Sequence, residues 1–552
     1  MRTYESRAFA AKFAFAVFCF GFACATAVAA ESGLKAAPIA RPPLGWSSWN
    51  SFSNTVDSRI VEQQARAMAT NGMKDAGYEY INIDEGWWTG QRDGEGNIVV
   101  DPAQWPALAP GEHAGDMRNI VRFIHGLGLK AGIYTDAGMA GCSMFPDLGP
   151  KYFHAGSEGH YDQDFLQFAR WGFDYVKVDW CGGNKEQLDP AVQYAQIARA
   201  IAHAEAITGH ALYFSICEWG KNSPWTWAPN IGGVQADIWR TGGDIVAPIV
   251  AGHEHADRRA TLAMVFSNFD RGIHPAAEHT GYYNDPDMMV LGMPGLTDEQ
   301  NRLHMALWAV SGAPLIVGAD LTKLDSSDLA ALKNRTVLAI DQDGAGLQAM
   351  MVAQPAAGLE AWSKPLAESG KRAVLLLNRT PSAASIEIRW EDLGLTDSAP
   401  AVVDAWTGKR LNPGPHGYGT TVAAGDGLLL LVAGKDLPMT GYEPGAATTG
   451  SASAARGDVL PEHPVRFTKV HAARDGMARI RIAYSNPAAK ARFAELQVNG
   501  AAITRIAFPP TKGVGAGYVW VQSELKSGSA GNDLTFSTYC DRGPSIRSIS
   551  VR

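Results

Sequence analysis

The chain has 552 residues, 46% of them hydrophobic and 19% charged, with a formal net charge of −8. That length exceeds one ordinary domain, so two or three domains are expected. The acidic balance and the lack of any long Lys/Arg run count against nucleic acid as a partner, because phosphate binding needs a basic face.

The N-terminus reads as an address label. Arg2, Arg7 and Lys12 precede an apolar run over 13–23, and Ala27-Val28-Ala29-Ala30 offers small residues for cleavage. Residues 1–30 are therefore expected to be a signal peptide, and the mature protein to be exported to the periplasm or beyond. The run is too short for an anchor, and no later segment is long enough to span a membrane. Cys19 and Cys24 leave with the signal, while Cys142, Cys181, Cys217 and Cys540 remain. Export permits one or two bridges among them. The triplet His253-Glu254-His255 stands alone in a polar stretch and reads as a solvated loop rather than a metal site.

From Leu44 to about Asp341, short runs rich in Val, Ile and Tyr alternate with helix-period segments. Strands are expected to end at Trp46, Asp84, Tyr134, Asp179, Cys217, Arg240, somewhere before Asn284, and at Val317. Helices are expected over 58–76, 115–127, 164–171, 190–208 and 297–310. Eight such units over 42–345 predict a (β/α)8 TIM barrel. A doubly wound sheet is the alternative, weakened by the lack of a GxGxxG turn. After Ala345 the helical period disappears, and 346–436 reads as an antiparallel β-sandwich domain with strands over 372–378, 384–390 and 427–432. A Gly/Ala/Ser/Thr-rich run over 440–457 reads as a linker or loose domain start. The rest of 440–552 is strand-like again, over 478–484, 493–498, 518–521 and 533–537.

Reacting groups in a barrel enzyme sit at the C-terminal ends of the strands. Here those ends carry Trp49, Asp84-Glu85, Tyr134 with Asp136, Lys177 with Asp179, Glu218-Trp219, Arg240 with Asp244, and Asp285 with Asp287. One carboxylate could cap the next helix. Seven units sending charged or aromatic groups to one rim suggest sugar chemistry instead. Glycoside cleavage needs one carboxylate to protonate the leaving oxygen and another to meet the oxocarbenium-like centre. For Trp49, Tyr134 and Trp219 the competing reading is core packing.

Tyr175-Val176-Lys177-Val178-Asp179-Trp180-Cys181 resembles the nucleophile strand of glycoside hydrolase family 27, the α-galactosidase and α-N-acetylgalactosaminidase family. The likeness continues through Gly45-Trp46-Ser47-Ser48-Trp49-Asn50, Ile83-Asp84-Glu85-Gly86-Trp87 and Gly132-Ile133-Tyr134. It runs on through Cys217-Glu218-Trp219-Gly220, Trp239-Arg240-Thr241-Gly242-Gly243-Asp244 and Asn284-Asp285-Pro286-Asp287. The resemblance implies a retaining mechanism with Asp179 as nucleophile and Asp244 as acid/base, a pair that should stand about 5–5.5 Å apart. It implies that Trp49, Asp84, Glu85, Tyr134, Lys177, Glu218, Trp219, Arg240 and Asp287 surround the sugar, and that Cys142 and Cys181 form a disulfide. No catalytic cofactor or metal is implied. Lys177 shares a strand face with Asp179 and is expected to lower its pKa. Where the family's animal members pair the cysteine matching Cys217, this chain has Ala236, so Cys217 is expected to be a free buried thiol.

Galactoside-cleaving members of that family usually carry Asp-Asp where this chain has Asp84-Glu85. The extra methylene of Glu85 would reach into the space of C6, favouring β-L-arabinopyranosides over α-D-galactosides. If Glu85 bends aside, galactose still fits, and exo-hydrolysis of terminal α-D-galactosyl residues, the commonest activity of that family, is the reading kept ahead, with β-L-arabinopyranosidase as its alternative. An N-acetylgalactosamine preference is disfavoured by the bulk of Glu218-Trp219. Val498-Asn499-Gly500, Phe508-Pro509-Pro510 and Gly531-Asn532-Asp533-Leu534 resemble carbohydrate-binding module families 6 and 35. That likeness implies a β-sandwich that tethers the enzyme to polysaccharide, and leaves room for calcium near Gly441-Tyr442-Glu443-Pro444. A function of another class, a non-hydrolytic sugar-binding protein on the same barrel, is the alternative. A hydrolysis assay separates the two.

Overall fold

Eight short strands pair in parallel into one curled sheet. They are β1 (Leu44–Ser47), β2 (Tyr80–Asn82), β3 (Lys130–Asp136), β4 (Tyr175–Asp179), β5 (Tyr213–Cys217), β6 (Ile238–Arg240), β7 (Tyr283–Asp285) and β8 (Leu315–Val317). The order runs β8-β1-β2-β3-β4-β5-β6-β7. Met289, just past β7, donates to the Ile316 carbonyl at 2.7 Å and accepts from Gly318 N at 2.9 Å, which closes the sheet into a barrel. This computed structural model describes residues 39–143, 154, 156–230, 236–246, 259–398, 400–445, 458–459, 463–511, 517–538 and 542–552. The expected signal peptide, His253-Glu254-His255 and Cys540 lie outside the described residues.

The strands are covered on both faces, as parallel strands require. All five residues of β5 are buried. Alternation along each strand sorts the interior into layers. Tyr80, Tyr175, Tyr213, Ile238 and Tyr283 form one buried cluster at the N-terminal end. The Tyr175 and Tyr213 rings stack there with centroids 5.5 Å apart. Two and four residues further on, the same face of β4 carries Lys177 and Asp179. The site is thus built on a floor of packed tyrosine rings.

The helices follow local signals. Asp57 accepts from Ile60 N and opens the helix Ser58–Thr70. The expected helix over 58–76 breaks there, because Asn71-Gly72 intervenes with Gly72 at φ +88°, before a short second helix Met73–Ala76. Pro190–Thr208 starts with Asp189 as N-cap and proline in its first turn, and ends at a left-handed Gly209. Thr297 and Gln300 make a reciprocal capping box before Asp298–Ser311. Between β2 and β3 lies a hairpin that periodicity does not reveal, Trp88–Arg92 with Ile98–Val100. Arg92 pins it with two parallel bonds of 2.7 and 2.8 Å to the buried Asp164 carboxylate.

Behind the barrel, strands between Met350 and Ala433 form a six-stranded sheet and a two-stranded partner around their own core. Two four-stranded sheets follow and enclose a third core. Thr440–Tyr442 is a strand, not linker: it pairs with the last strand, Ser545–Val551. Ala507 N donates to Thr280 Oγ1 at 3.3 Å, and Gln522 Nε2 to the Gln348 carbonyl at 3.1 Å. Thr280 precedes β7, so the C-terminal sandwich docks at the N-terminal end of the barrel, opposite the rim.

Candidate active site

Lys177 and Asp179 project from one face of β4. The Lys177 ammonium donates to Asp84 Oδ2 at 2.9 Å and lies 3.7 Å from Asp179 Oδ2. Burial works most strongly against this charged lysine, but the attractions of Asp84, Cys217 and Asp179 together outweigh it and hold its pKa well above the ordinary value. Asp84 is further fixed by Ser47, whose hydroxyl donates to Oδ2 at 3.3 Å. The Asp179 Oδ1 accepts from Trp180 N at 3.0 Å. Lys177 does pull the Asp179 pKa down, as the sequence predicts, yet the net result is the reverse. Burial dominates, Asp84 and Asp244 add repulsion, and Asp179 is pushed up to about 6. A group that must be anionic to react is then lost as the pH falls through that value. The acidic limb of kcat/KM is expected near pH 6, and Lys177→Gln should move it upward by removing the ammonium that pulls the Asp179 pKa down. A pH–rate profile of both proteins checks this.

A second carboxylate group is organised by Arg240 at the end of β6. Nη2 donates to Asp244 Oδ1 at 3.0 Å, and Nη1 lies 2.9 Å from Asp287 Oδ1. The planar fork thereby fixes two acids at once. Asp287 adopts φ +106°, unusual for a non-glycine residue, and its Oδ2 accepts from Ile245 N at 2.7 Å. The turn carrying Asp244 is therefore tied to Asp287 as well as to Arg240. The Asp244 side chain stays 28% exposed, whereas that of Asp179 is only 5% exposed. An interior carboxylate and a water-reachable one are the division of labour that a nucleophile and an acid/base need.

Glu85 is wholly buried, and of the two readings of its extra methylene its orientation matches the one in which the carboxylate bends aside. Both carboxylate oxygens accept from Ser143 N, at 3.1 and 2.9 Å, and Oε2 also accepts from Ser143 Oγ at 2.7 Å. Any Cβ on Gly141 would lie 2.1 Å from Oε1, so that position must be glycine while Glu85 sits there. Between them, Cys142 is bonded to Cys181, the expected disulfide, with an S–S distance of 1.99 Å. Burial, opposed by the Ser143 bonds, raises the Glu85 pKa to about 8.

Asp136 belongs to the same assembly, although the sequence marks it only as a strand-end acid. It pairs in register with Asp179. Its buried oxygens accept from Cys181 N at 2.7 Å, Gly182 N at 3.1 Å and Gly138 N at 2.7 Å. It clamps the turn that leaves β4. Its spacing of two from Tyr134 was the available signal. Asp136, Cys142, Asp179 and Cys181 are the one close group of metal-type ligands among the described residues, and its two sulfurs are already joined.

The remaining predicted residues frame the site. Tyr134 packs against Trp88, with Lys177 Nζ 5.2 Å from its ring centroid. Glu218 is buried, with Oε2 accepting from Asn222 N and Nδ2, both at 2.8 Å, and burial raises its pKa to about 7. Trp219 is half-buried at φ +57°, in a turn where Gly220 must clear the Thr241 carbonyl. Trp49 packs with Met288 and Ile316, so core packing claims most of it. Cys217 is a free buried thiol, as expected, and Arg240 Nη1 lies 3.7 Å from its sulfur. A cavity of about 30 Å³, lined in part by Ser47, Asp84, Lys177, Cys217, Arg240 and Met288, opens among these groups.

A barrel with two cation-braced carboxylate groups at its rim has the construction of a glycoside hydrolase. The family described as alpha galactosidase A matches residues 41–343, and its C-terminal beta sandwich domain matches 356–432. The chain belongs to this alpha-galactosidase family. It is 40% identical over 349 residues to alpha-galactosidase A of Cellvibrio japonicus, covering 63% of this chain and 78% of that one. It is 35% identical over 357 residues to alpha-galactosidase 2 of Arabidopsis thaliana, covering 65% and 80%. The structure of alpha-galactosidase I from Mortierella vinacea superposes with a TM-score of 0.61 at 28% identity, over 72% of this chain and 98% of that one. A β-L-arabinopyranosidase from Geobacillus stearothermophilus shares the fold, with a TM-score of 0.60 at 21% identity, over 74% and 99%.

The comparison corrects the reading of the C-terminal module. Residues 464–551 match a CBM13-like domain of alpha-galactosidases, not families 6 or 35. Short Asn-Gly turns and alternating strands are shared by many β-sandwiches, which is why they misled. The calcium expectation rested on that resemblance and loses its basis with it.

Proposed function

We propose that this protein is a retaining exo-glycosidase that hydrolyses terminal α-D-galactosyl residues of oligosaccharides and polysaccharides. The observation that carries this is the pair of separately braced acids: Asp179 beside Lys177 and Asp84, and Asp244 on Arg240. In this reading Asp179 attacks the anomeric carbon and forms a glycosyl-enzyme. Asp244 protonates the departing oxygen, then takes a proton from the water that releases galactose. Asp84, Lys177, Arg240 and Asp287 hold the two acids and present donors and acceptors to sugar hydroxyls. NMR of the first-formed product from p-nitrophenyl α-D-galactopyranoside tests this. Release of α-galactose supports it, and β-galactose as the first product overturns it.

Glu85 bears on the choice of sugar. With its carboxylate engaged by Ser143, the longer side chain is accommodated rather than thrust toward C6. Galactoside should therefore outpace β-L-arabinopyranoside, and Glu85→Asp should change their rate ratio by less than about tenfold, below the roughly 10–200-fold that a methylene reaching into the pocket is worth. Side-by-side rates on the two p-nitrophenyl glycosides check this.

Within this reading, 42–345 is the catalytic barrel, 346–436 the supporting sandwich and 440–552 the tethering module. Export through the N-terminal signal is supported by the Cys142–Cys181 disulfide, which suits an oxidising compartment. No helix among the described residues is long and apolar enough to cross a membrane.

A further inference from the structure

The C-terminal sandwich carries a feature that galactoside cleavage does not use. In one of its sheets, Gly476–Ser485 lies between Gly517–Leu525 at the edge and Ser545–Val551. Ile480, Ile482, Val519 and Val521 point into the core. Their alternates Arg481, Tyr518 and Trp520 therefore occupy the outer face. Tyr518 is 56% exposed, the most open of the large hydrophobic side chains among the described residues. Its ring centroid is 6.1 Å from that of Trp520, and the exposed Arg481 guanidinium lies 5.8 and 5.9 Å from the two rings.

The register next to this aromatic edge is built from small residues. Arg481 is flanked by Ser550, and Ala483 by Ser548, with Gly441 beyond Ser550. A Cβ on Gly441 would meet nothing within 4 Å. The result is a half-exposed floor of small residues, bordered by the open Tyr518 ring and by the half-buried Trp520, whose ring centroid lies 4.5 Å from the Arg479 guanidinium. Rings of this kind receive the C–H face of a sugar, while their polar tips stay wet.

Charge decides which sugar. No ion pair or hydrogen bond occupies the Arg481 guanidinium among the described residues. Further along the same face, Arg479 sits among Arg372, Arg481 and Arg552 with Asp436 as the opposing acid, and burial together with these neighbours lowers its pKa to about 10. The local field is positive on a chain whose net charge is −8. An uncommitted guanidinium fork is suited to a planar carboxylate.

We propose that Tyr518, Trp520 and Arg481 form a binding site for a polysaccharide strand that carries carboxylates, with a sugar ring on the aromatic edge and a uronate carboxylate on Arg481. The site lies on the module that docks opposite the catalytic rim, so it holds polymer without taking part in turnover. Anchoring of this kind raises the local concentration of side-chain galactosides.

The test is affinity electrophoresis of the full-length protein in gels containing polygalacturonate, beside gels containing its carboxyl-reduced neutral counterpart. The wild type should be retarded by the acidic polymer, less so as salt rises, and hardly by the neutral one. Arg481→Gln and Tyr518→Ala should each weaken binding about tenfold or more, with Arg481→Lys intermediate because it keeps charge without the fork. All variants should hydrolyse p-nitrophenyl α-D-galactopyranoside at the wild-type rate, which separates this site from the catalytic reading. Equal retardation by both polymers, no retardation of the wild type, or unchanged retardation of both Arg481→Gln and Tyr518→Ala would overturn the proposal.

Discussion

Asp179→Gly is expected to lower kcat/KM on p-nitrophenyl α-D-galactopyranoside by about 10⁴-fold or more, the scale seen when a covalent nucleophile is removed. The structure explains why no neighbour can substitute. Asp84 is closest in charge, but Lys177 and Ser47 already engage its Oδ2. Asp136 pairs in register with Asp179, but its oxygens hold three backbone N–H groups of the adjoining turns. Glycine also empties the space below the anomeric carbon. Azide entering that space should attack from the face Asp179 used and yield the β-galactosyl azide. Undiminished hydrolysis by Asp179→Gly would sink the assignment.

How far this site was legible depends on what each residue does. Strand-end acids and bases could be placed from sequence because a barrel collects them at one rim, and Lys177, Asp179 and Arg240 all fall within or at the ends of their strands. The disulfide followed from family resemblance and proved to join the two loops beside Asp179. Orientation was not legible. Glu85 could be counted as one methylene longer than Asp, but only tertiary structure shows its carboxylate turned to Ser143, 58 residues away. Burial was not legible either. Two residues of separation predict that Lys177 depresses the Asp179 pKa, whereas the desolvation that overrides it comes from the whole closed barrel. The hairpin Trp88–Arg92 with Ile98–Val100 escaped because its strands are short and one is interrupted by a register shift.

Asp244→Ala should act differently from loss of the nucleophile, and the difference is the sharper test of mechanism. Asp244 hangs from Arg240 at 3.0 Å with a 28% exposed side chain, so it can reach both a leaving oxygen and an incoming water. Without it, a p-nitrophenolate can still depart unprotonated, but water is no longer activated to release the sugar. For the aryl galactoside kcat should fall about 10²–10⁴-fold, while KM falls too because glycosyl-enzyme accumulates. For an α-galactosyl disaccharide, whose leaving alkoxide needs a proton, kcat/KM should fall by a comparable factor, so the preference for the aryl substrate widens greatly. Azide needs no base. It should intercept the glycosyl-enzyme of Asp244→Ala and give the α-galactosyl azide, the opposite anomer from that formed by Asp179→Gly. Two variants, one added nucleophile and two opposite anomers would fix which acid stands on which side of the sugar. The reverse pairing of anomers would exchange the two roles.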